Sequence, residues 1–452
     1  MEEEKYLVVG AGKSGIAACS LLLQKNVSVI LFDSSEDLDI AEFKQQHPNL
    51  STIEIYKKNL PKECFDKITT AVLSPGVPTD LLFVMDLKAA GIKISGEIEL
   101  AYSLGKGRLV AITGTNGKTT TTALTGEIMR TFFDDVRVVG NIGIPYTTEV
   151  ATCEDDTVIV AEISSFQLET ADTFHPMVSA ILNITPDHLN RHHTMEQYIE
   201  AKESITKNQS TEDTCVLNYE DEELRTFGET LSSRVVYFSS KQKLRDGYFY
   251  QNGFLYRSMH GVMKQLLPVC ELNVLGLHNY ENVMAAMAMA EAMNVPMDKI
   301  ILAVKKFQAV EHRIEYVCTK SNIRFYNDSK GTNPDAAIKG IMAMNAPTYL
   351  IGGGYDKDSS YDEWIESFQG KVKKLVLIGQ TKEKIAECAQ KHHFDDYSFA
   401  DSLEEAIDQC YDCANAGEIV LLSPACASWG MFLDYEERGK VFKKYARSLP
   451  EK

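Results

Sequence analysis

No run of apolar residues approaches the roughly 18 that a membrane-spanning helix needs, and the opening Met-Glu-Glu-Glu-Lys is acidic where a secretory leader would be basic. The expectation is a soluble, cytoplasmic protein with no membrane insertion. Basic charge is in deficit too: 46 Lys and Arg face 64 Asp and Glu, a formal net charge of -18. Such a surface repels the phosphate backbone of nucleic acid, which excludes nucleic acid as a partner and leaves anionic ligands to local sites. The ten cysteines stand singly except Cys410 and Cys413. One C-x-x-C without a second pair or clustered histidines points to buried, reduced thiols rather than a metal centre. Fixed-period repeats, low-complexity linkers and long charge blocks are missing as well, so domain boundaries have to be read from the order of elements alone.

What is present is length and apolar content. At 452 residues and 44% hydrophobic, the chain suits about three domains at roughly 150 residues each. Tyr6 to Val9, the glycine-containing turn Gly10 to Gly15, an apolar helical stretch to Leu23 and the run Val27 to Phe32 form one βαβ unit, and Thr70 to Leu73 is a further strand. A new unit starts near Gly105, with strands expected at Arg108 to Ile112, Val158 to Ala161 and Val178 to Ile184. Asn279 to Met293 reads as a core helix whose methionines serve packing. Arg324 to Asn327, Thr348 to Ile351, Leu375 to Ile378 and Ile419 to Leu422 alternate with helical stretches as a third α/β domain. The expected domains are 1–97, 98–309 and 310–452, with boundaries near Gly96 and Ala309.

Chemistry gathers where these strands end. Gly10, Gly12 and Gly15 with Asp33 match a dinucleotide fingerprint, but a turn that only needs close strand–helix packing, or a site for any phosphate-bearing nucleotide, explains them too. The stronger signal is Gly114, Gly117, Lys118 and Thr119, where backbone N–H groups and an ammonium can surround phosphates and a hydroxyl can meet Mg²⁺. Ile112 stands where a strict phosphate loop has its first glycine. Glu162 and His188, each after a strand, could be satisfied polar residues, or could complete metal sites with Thr119. Tyr198, Lys202 and Ile205 at i, i+4 and i+7 put the lysine on an apolar stripe. It could snorkel. It could also be a desolvated amine that reacts with CO₂ to give a carbamate ligand for a second metal.

Gly114 to Thr120, Glu162 to Leu168, Asp187 with His188, His278 and Asn279 with Asn282, His312 with Arg313, Asn327 to Lys330 and Ser423 to Ser428 occur in an order, over nearly the whole chain, that resembles the Mur ligase family. The Ser-Ser-Phe-Gln-Leu and Ser-Pro-Ala-Cys-Ala-Ser runs resemble its D-glutamate-adding branch. That resemblance implies an α/β chain of three domains: Rossmann-like, then a phosphate-loop ATPase sheet, then a second Rossmann-like domain. It further implies a monomer that joins D-glutamate to UDP-N-acetylmuramoyl-L-alanine using ATP and two Mg²⁺.

By the same resemblance Ser14, Asp33, Ser34, Ser74, Pro75 and Gly76 hold the uridine nucleotide, and Asn141, Ser164 and Gln167 face the UDP-sugar. Gly114, Thr115, Asn116, Gly117, Lys118, Thr119, Thr120, Asn279, Asn282, Arg313, Asp328 and Lys330 hold ATP. Thr119 and Glu162 hold one Mg²⁺, and His188 with carbamylated Lys202 the other; Lys118, Glu162, His188 and Lys202 form the catalytic set. Thr332, Lys357, Ser428 and Tyr435 grip D-glutamate. Tyr435 stands where the family has phenylalanine, Gly331 where it has alanine, and Ser35 where it has arginine. Another family ligase, adding a different amino acid or extending folate with glutamate, is the near rival, although the Asp-Asn-Pro-Arg run of lysine- or diaminopimelate-adding members is absent. A nicotinamide oxidoreductase built on Asp33 would leave the Lys118 loop without a purpose.

Overall fold

The structure, a computed structural model, describes residues 5–141, 143–308 and 311–452. The expected boundary at Ala309 lies outside the described residues. Contacts divide the chain into a first unit, Met1–Pro268 with Glu281–Val304, and a second, Val269–Tyr280 with Lys305–Lys452.

The first unit contains two sheets. Strands β1 (Lys5–Val9), β2 (Ser28–Asp33), β3 (Glu54–Lys57), β4 (Thr70–Leu73) and β5 (Lys93–Gly96) pair in the order β3-β2-β1-β4-β5, all parallel. The central strands read as continuous apolar runs because helices cover both faces. The second sheet contains β6 (Arg108–Thr113), β7 (Val136–Gly140), β8 (Val158–Glu162), β9 (Val178–Ile181), β10 (Thr214–Asn218), β11 (Arg234–Ser239), β12 (Gly247–Gln251), β13 (Phe254–Met259) and β14 (Val262–Pro268), in the order β14-β13-β12-β11-β10-β9-β6-β8-β7. It is parallel from β7 through to β12, and its last two pairings are antiparallel. One apolar cluster runs from Val8, Leu31 and Val72 of the first sheet to Leu109, Ala111, Ile159 and Leu217 of the second. At the join, the helix Glu97–Leu104 carries two buried carboxylates. Glu97 accepts from the Thr147 N–H and hydroxyl at 2.7 Å, and Glu99 from the N–H groups of Asp172, Thr173 and Phe174.

The second unit contains β15 (Glu315–Lys320), β16 (Ile323–Asn327), β17 (Thr348–Gly353), β18 (Val372–Ile378), β19 (Tyr397–Phe399) and β20 (Ile419–Leu422), ordered β15-β16-β20-β17-β18-β19. Only the β15–β16 hairpin is antiparallel.

Two expectations need correction. The strand expected to reach Ile184 stops at Ile181, because the chain leaves the sheet to hold the loop after β6: Thr115 N–H donates to the Asn183 carbonyl at 2.9 Å and Asn116 N–H to Asn183 Oδ1 at 2.8 Å. The thiols are not uniformly buried either, since Cys410 is buried but Cys413 and Cys270 are exposed. Among the described residues no helix is long and apolar enough to cross a membrane.

Candidate active site

In the first sheet the turns after β1 and β4 close on each other, the Ser74 hydroxyl lying 3.5 Å from the Gly10 carbonyl oxygen. Asp33, at the end of β2, accepts the Ala11 N–H at 2.7 Å on one oxygen and the Ser35 N–H at 2.8 Å on the other. The carboxylate therefore organises the turn, and each oxygen keeps lone-pair capacity for a ligand. Ser14, Ser74 and Pro75 are half-buried, while Ser34 and Gly76 are exposed. A small cleft lined by Ser74, Pro75 and Gln167 joins this edge to the second sheet.

There the loop between β6 and the helix Lys118–Arg130 turns at Gly117, whose φ of +88° is a left-handed value that disfavours a side chain. A Cβ at that position would also lie 2.3 Å from Asn282 Oδ1, so the asparagine approaches the loop backbone closely. Lys118 Nζ donates to the Gly114 carbonyl at 2.7 Å and to that of Thr115 at 2.9 Å. Lys202 Nζ donates to the same Gly114 oxygen at 2.9 Å and lies 4.6 Å from the Tyr198 ring centroid. The Tyr198 hydroxyl in turn meets Thr115 Oγ1 at 3.0 Å. Lys202 is 1% exposed. Burial, and then the charge of Lys118, hold its amine well below the usual ammonium value, against the pull of Asp187. Its helix, Met195–Glu203, ends before Ile205, which reaches the core from a following 3-10 turn. Of the consecutive threonines, Thr119 is half-buried; Thr120, Thr121 and Thr122 are buried, and their hydroxyls have no hydrogen-bond partner.

Glu162 closes β8 and is buried. Asn141 binds it twice, from its N–H to the Glu162 carbonyl at 2.8 Å and from Nδ2 to Oε1 at 3.1 Å. Ser164 caps the short helix Ser165–Leu168, and Gln167 returns the bond to the Ser164 N–H, which fixes both side chains. His188 sits at φ 54°, with Nε2 3.6 Å from Asp187 Oδ2, and its ring meets Phe166 edge-on. The next turn holds a residue that sequence reading missed. Arg191 donates to Glu169 at 2.8 Å and to the Val77 carbonyl at 3.0 Å, with its guanidinium over Phe166.

In the second unit, Asn279, near the start of the helix Leu277–Ala292, donates to the Leu275 carbonyl at 2.7 Å. Asp328 follows β16 and accepts the Ser423 hydroxyl at 2.7 Å. Burial pushes its carboxyl up to about 6, opposed chiefly by Arg313. Between pH 4 and 6 the folded chain therefore binds more protons than the unfolded one, and this group's contribution to stability, complete below about 4, is lost by about 6. Relative to an Asp328→Asn variant, the native chain is expected to lose about 2 kcal/mol across that window, measured as urea midpoints at pH 4, 5 and 6. Arg313 Nε is buried without a hydrogen-bond partner.

Lys330 lies 5.3 Å from the Tyr435 ring centroid, and Thr332 N–H donates to the Lys330 carbonyl. Ser428 is buried; Lys357 is exposed over Trp429. Arg438, also missed, binds the Ser329 hydroxyl at 2.9 Å, the Ser329 carbonyl at 2.7 Å and the Cys426 carbonyl at 3.2 Å, tying the turn after β16 to the one after β20. A signal existed: Arg438, Phe442 and Ala446 form a buried i, i+4, i+8 stripe. Arg438→Lys is expected to cost about 2 kcal/mol, because an ammonium cannot reproduce the planar fork; a thermal melt checks it.

The Mur ligase MurD-like N-terminal domain model matches residues 4–96, the Mur ligase middle domain model residues 112–290, and the Mur ligase glutamate ligase domain model residues 312–426. A UDP-N-acetylmuramoylalanine–D-glutamate ligase of Lachnoclostridium phytofermentans is 56% identical over 449 residues, 99% of each chain. One of Lachnospira eligens is 52% identical over 450 residues, 99% of this chain and 100% of that one. The solved UDP-N-acetylmuramate-alanine ligase of Thermotoga maritima is 20% identical and shares the fold with a TM-score of 0.60 over 98% of this chain and 99% of its own. With all three domain models matched in order and relatives alike from end to end, the chain belongs to the Mur ligase family.

Proposed function

We propose that the chain is an ATP-dependent amide ligase that joins D-glutamate to UDP-N-acetylmuramoyl-L-alanine in cytoplasmic peptidoglycan precursor synthesis, with domains at 1–97, 98–309 and 310–452. The observation that carries this reading is the convergence of Lys118 and Lys202 on one loop carbonyl, in a chain alike over its whole length to relatives of that name.

The alanine carboxylate attacks the γ-phosphorus of ATP, releasing ADP and forming an acyl phosphate. The amine of D-glutamate then adds to the acyl carbon, loses a proton, and expels phosphate from the tetrahedral intermediate. Lys118 neutralises phosphate charge through its ammonium, and the loop N–H groups orient the transferred group. Asn282 and Asn279, with Arg313, Asp328 and Lys330, hold the nucleotide. Ser14, Asp33, Ser34, Ser74, Pro75 and Gly76 hold the uridine end, and Asn141, Ser164 and Gln167 face the UDP-sugar. Thr332, Lys357, Ser428 and Tyr435 receive the D-glutamate carboxylates.

The donor set fits Mg²⁺ because oxygen dominates it: Thr119 and Glu162 for one ion, His188 and a Lys202 carbamate for the other. The buried, readily neutral Lys202 amine suits carbamate formation. When bound, the ions supply charge neutralisation for phosphoryl transfer.

The test is phosphate release from ATP with Mg²⁺ and UDP-N-acetylmuramoyl-L-alanine, comparing D-glutamate with L-glutamate, L-lysine and diaminopimelate. Release that depends on D-glutamate, with a product heavier by one glutamyl residue, is expected. Release only with another amino acid would keep the family and move the substrate.

A further inference from the structure

Away from this site, the second unit brings four potential metal donors together from two helices. Asp362 and Glu366 are the first and last residues of the helix Asp362–Glu366; Cys388 lies in the helix Lys382–Lys391, and His392 caps it one turn further on. Ligand atoms of Asp362, Cys388 and His392 all lie within 4.8 Å of one another, and all three residues are half-buried. We propose that Asp362, Cys388 and His392 bind a transition-metal dication of the Zn²⁺ class, with water in the fourth position.

Chemistry and geometry agree on the class. A thiolate and an imidazole select Zn²⁺ over the hard ions Mg²⁺ and Ca²⁺. His392 Nε2 already lies 2.8 Å from Asp362 Oδ1, while its Nδ1 lies 3.5 Å from Glu366 Oε1. That leaves Nε2 for the metal and Nδ1 to donate to a carboxylate, the arrangement that fixes the tautomer of a metal-binding histidine. A cation is already drawn to the spot: Lys391 Nζ sits 2.6 Å from Asp362 Oδ1 on a side chain 69% exposed, free to swing into solvent when a dication arrives. Burial raises the Cys388 thiol above its ordinary value, with Asp362 and Glu366 adding to the rise and Lys391 opposing it. A dication offsets that local negative field. The other such group among the described residues, Glu311, His312 and Glu315, has no soft ligand and is already paired with Lys443.

The bound ion would join the helix Asp362–Glu366, which directly follows the segment that carries Lys357, to the helix Lys382–Lys391. That segment is also held from the second helix, where Lys384 meets Asp356 at 3.1 Å. Metal binding itself does not depend on the ligase reading.

The experiment titrates Co²⁺ into the chelator-treated full chain in excess Mg²⁺ and follows the near-ultraviolet thiolate-to-cobalt band. One equivalent should produce the band and Zn²⁺ should bleach it. Cys388→Ser should abolish it and leave turnover in metal-depleted Mg²⁺ buffer unchanged, whereas Cys270→Ser and Cys413→Ser should keep it. His392→Ala should weaken Co²⁺ binding by at least about tenfold. Should Cys388→Ser fail to fold, the rate of iodoacetamide labelling of Cys388 in the native chain decides, and at least tenfold slowing by Zn²⁺ is expected. No thiolate band, a band that survives Cys388→Ser, or labelling unaffected by Zn²⁺ would overturn the proposal.

Discussion

Replacing Lys202 with alanine is expected to lower kcat by about a thousandfold, with no recovery in high bicarbonate and with native near-ultraviolet circular dichroism. The native chain stripped of CO₂ should lose turnover and regain it when bicarbonate is added. The argument rests on what the amine can and cannot do where it lies. It is buried against Tyr198, it donates a hydrogen bond to the Gly114 carbonyl, and Lys118 repels its charged form. A neutral amine there is a nucleophile for CO₂, and the resulting carbamate replaces a depressed cation with an anionic oxygen ligand. ¹³C-bicarbonate should give a protein-bound carbonyl resonance that Lys202→Ala lacks. Unchanged turnover in the variant would remove the carbamate from the mechanism.

Gly15→Ala is expected to destabilise the first unit by about 3 kcal/mol. A Cβ at Gly15 would sit 1.8 Å from the Gly10 carbonyl oxygen, a backbone atom that cannot move without breaking the turn after β1. Gly12 is the control. It has nothing within 4 Å of an added Cβ and an ordinary φ of -78°, so Gly12→Ala should stay within about 0.5 kcal/mol of native and act on substrate KM instead. Urea midpoints and KM for the UDP-sugar separate the two roles that one glycine pattern leaves merged.

The sequence exposes the parallel strands because each is a short apolar run bounded by turn residues, and Thr70–Leu73 and Ile419–Leu422 keep the expected limits. It hides the antiparallel extension from Gly247 to Pro268, whose strands mix aromatic, charged and small residues without a clean apolar run. The loop residues were legible through glycine and lysine spacing. Arg191 and Asn183 were not, since each works through a main-chain carbonyl or N–H group far away in sequence, and the stripe that marks Arg438 as buried does not name its partners. Only folding reveals which carbonyl a guanidinium will meet.

Arg191 also has a thermodynamic consequence. Its guanidinium touches the Val77 carbonyl in the turn after β4 and stands three residues beyond His188. A ligand that shifts the turn therefore shifts the histidine, and linkage makes that coupling reciprocal: the factor by which UDP-sugar alters nucleotide affinity must equal the factor by which nucleotide alters UDP-sugar affinity. Calorimetric titrations in both orders should return one coupling factor, and Arg191→Ala should bring it towards unity. The two substrates would then still bind, each without regard to the other.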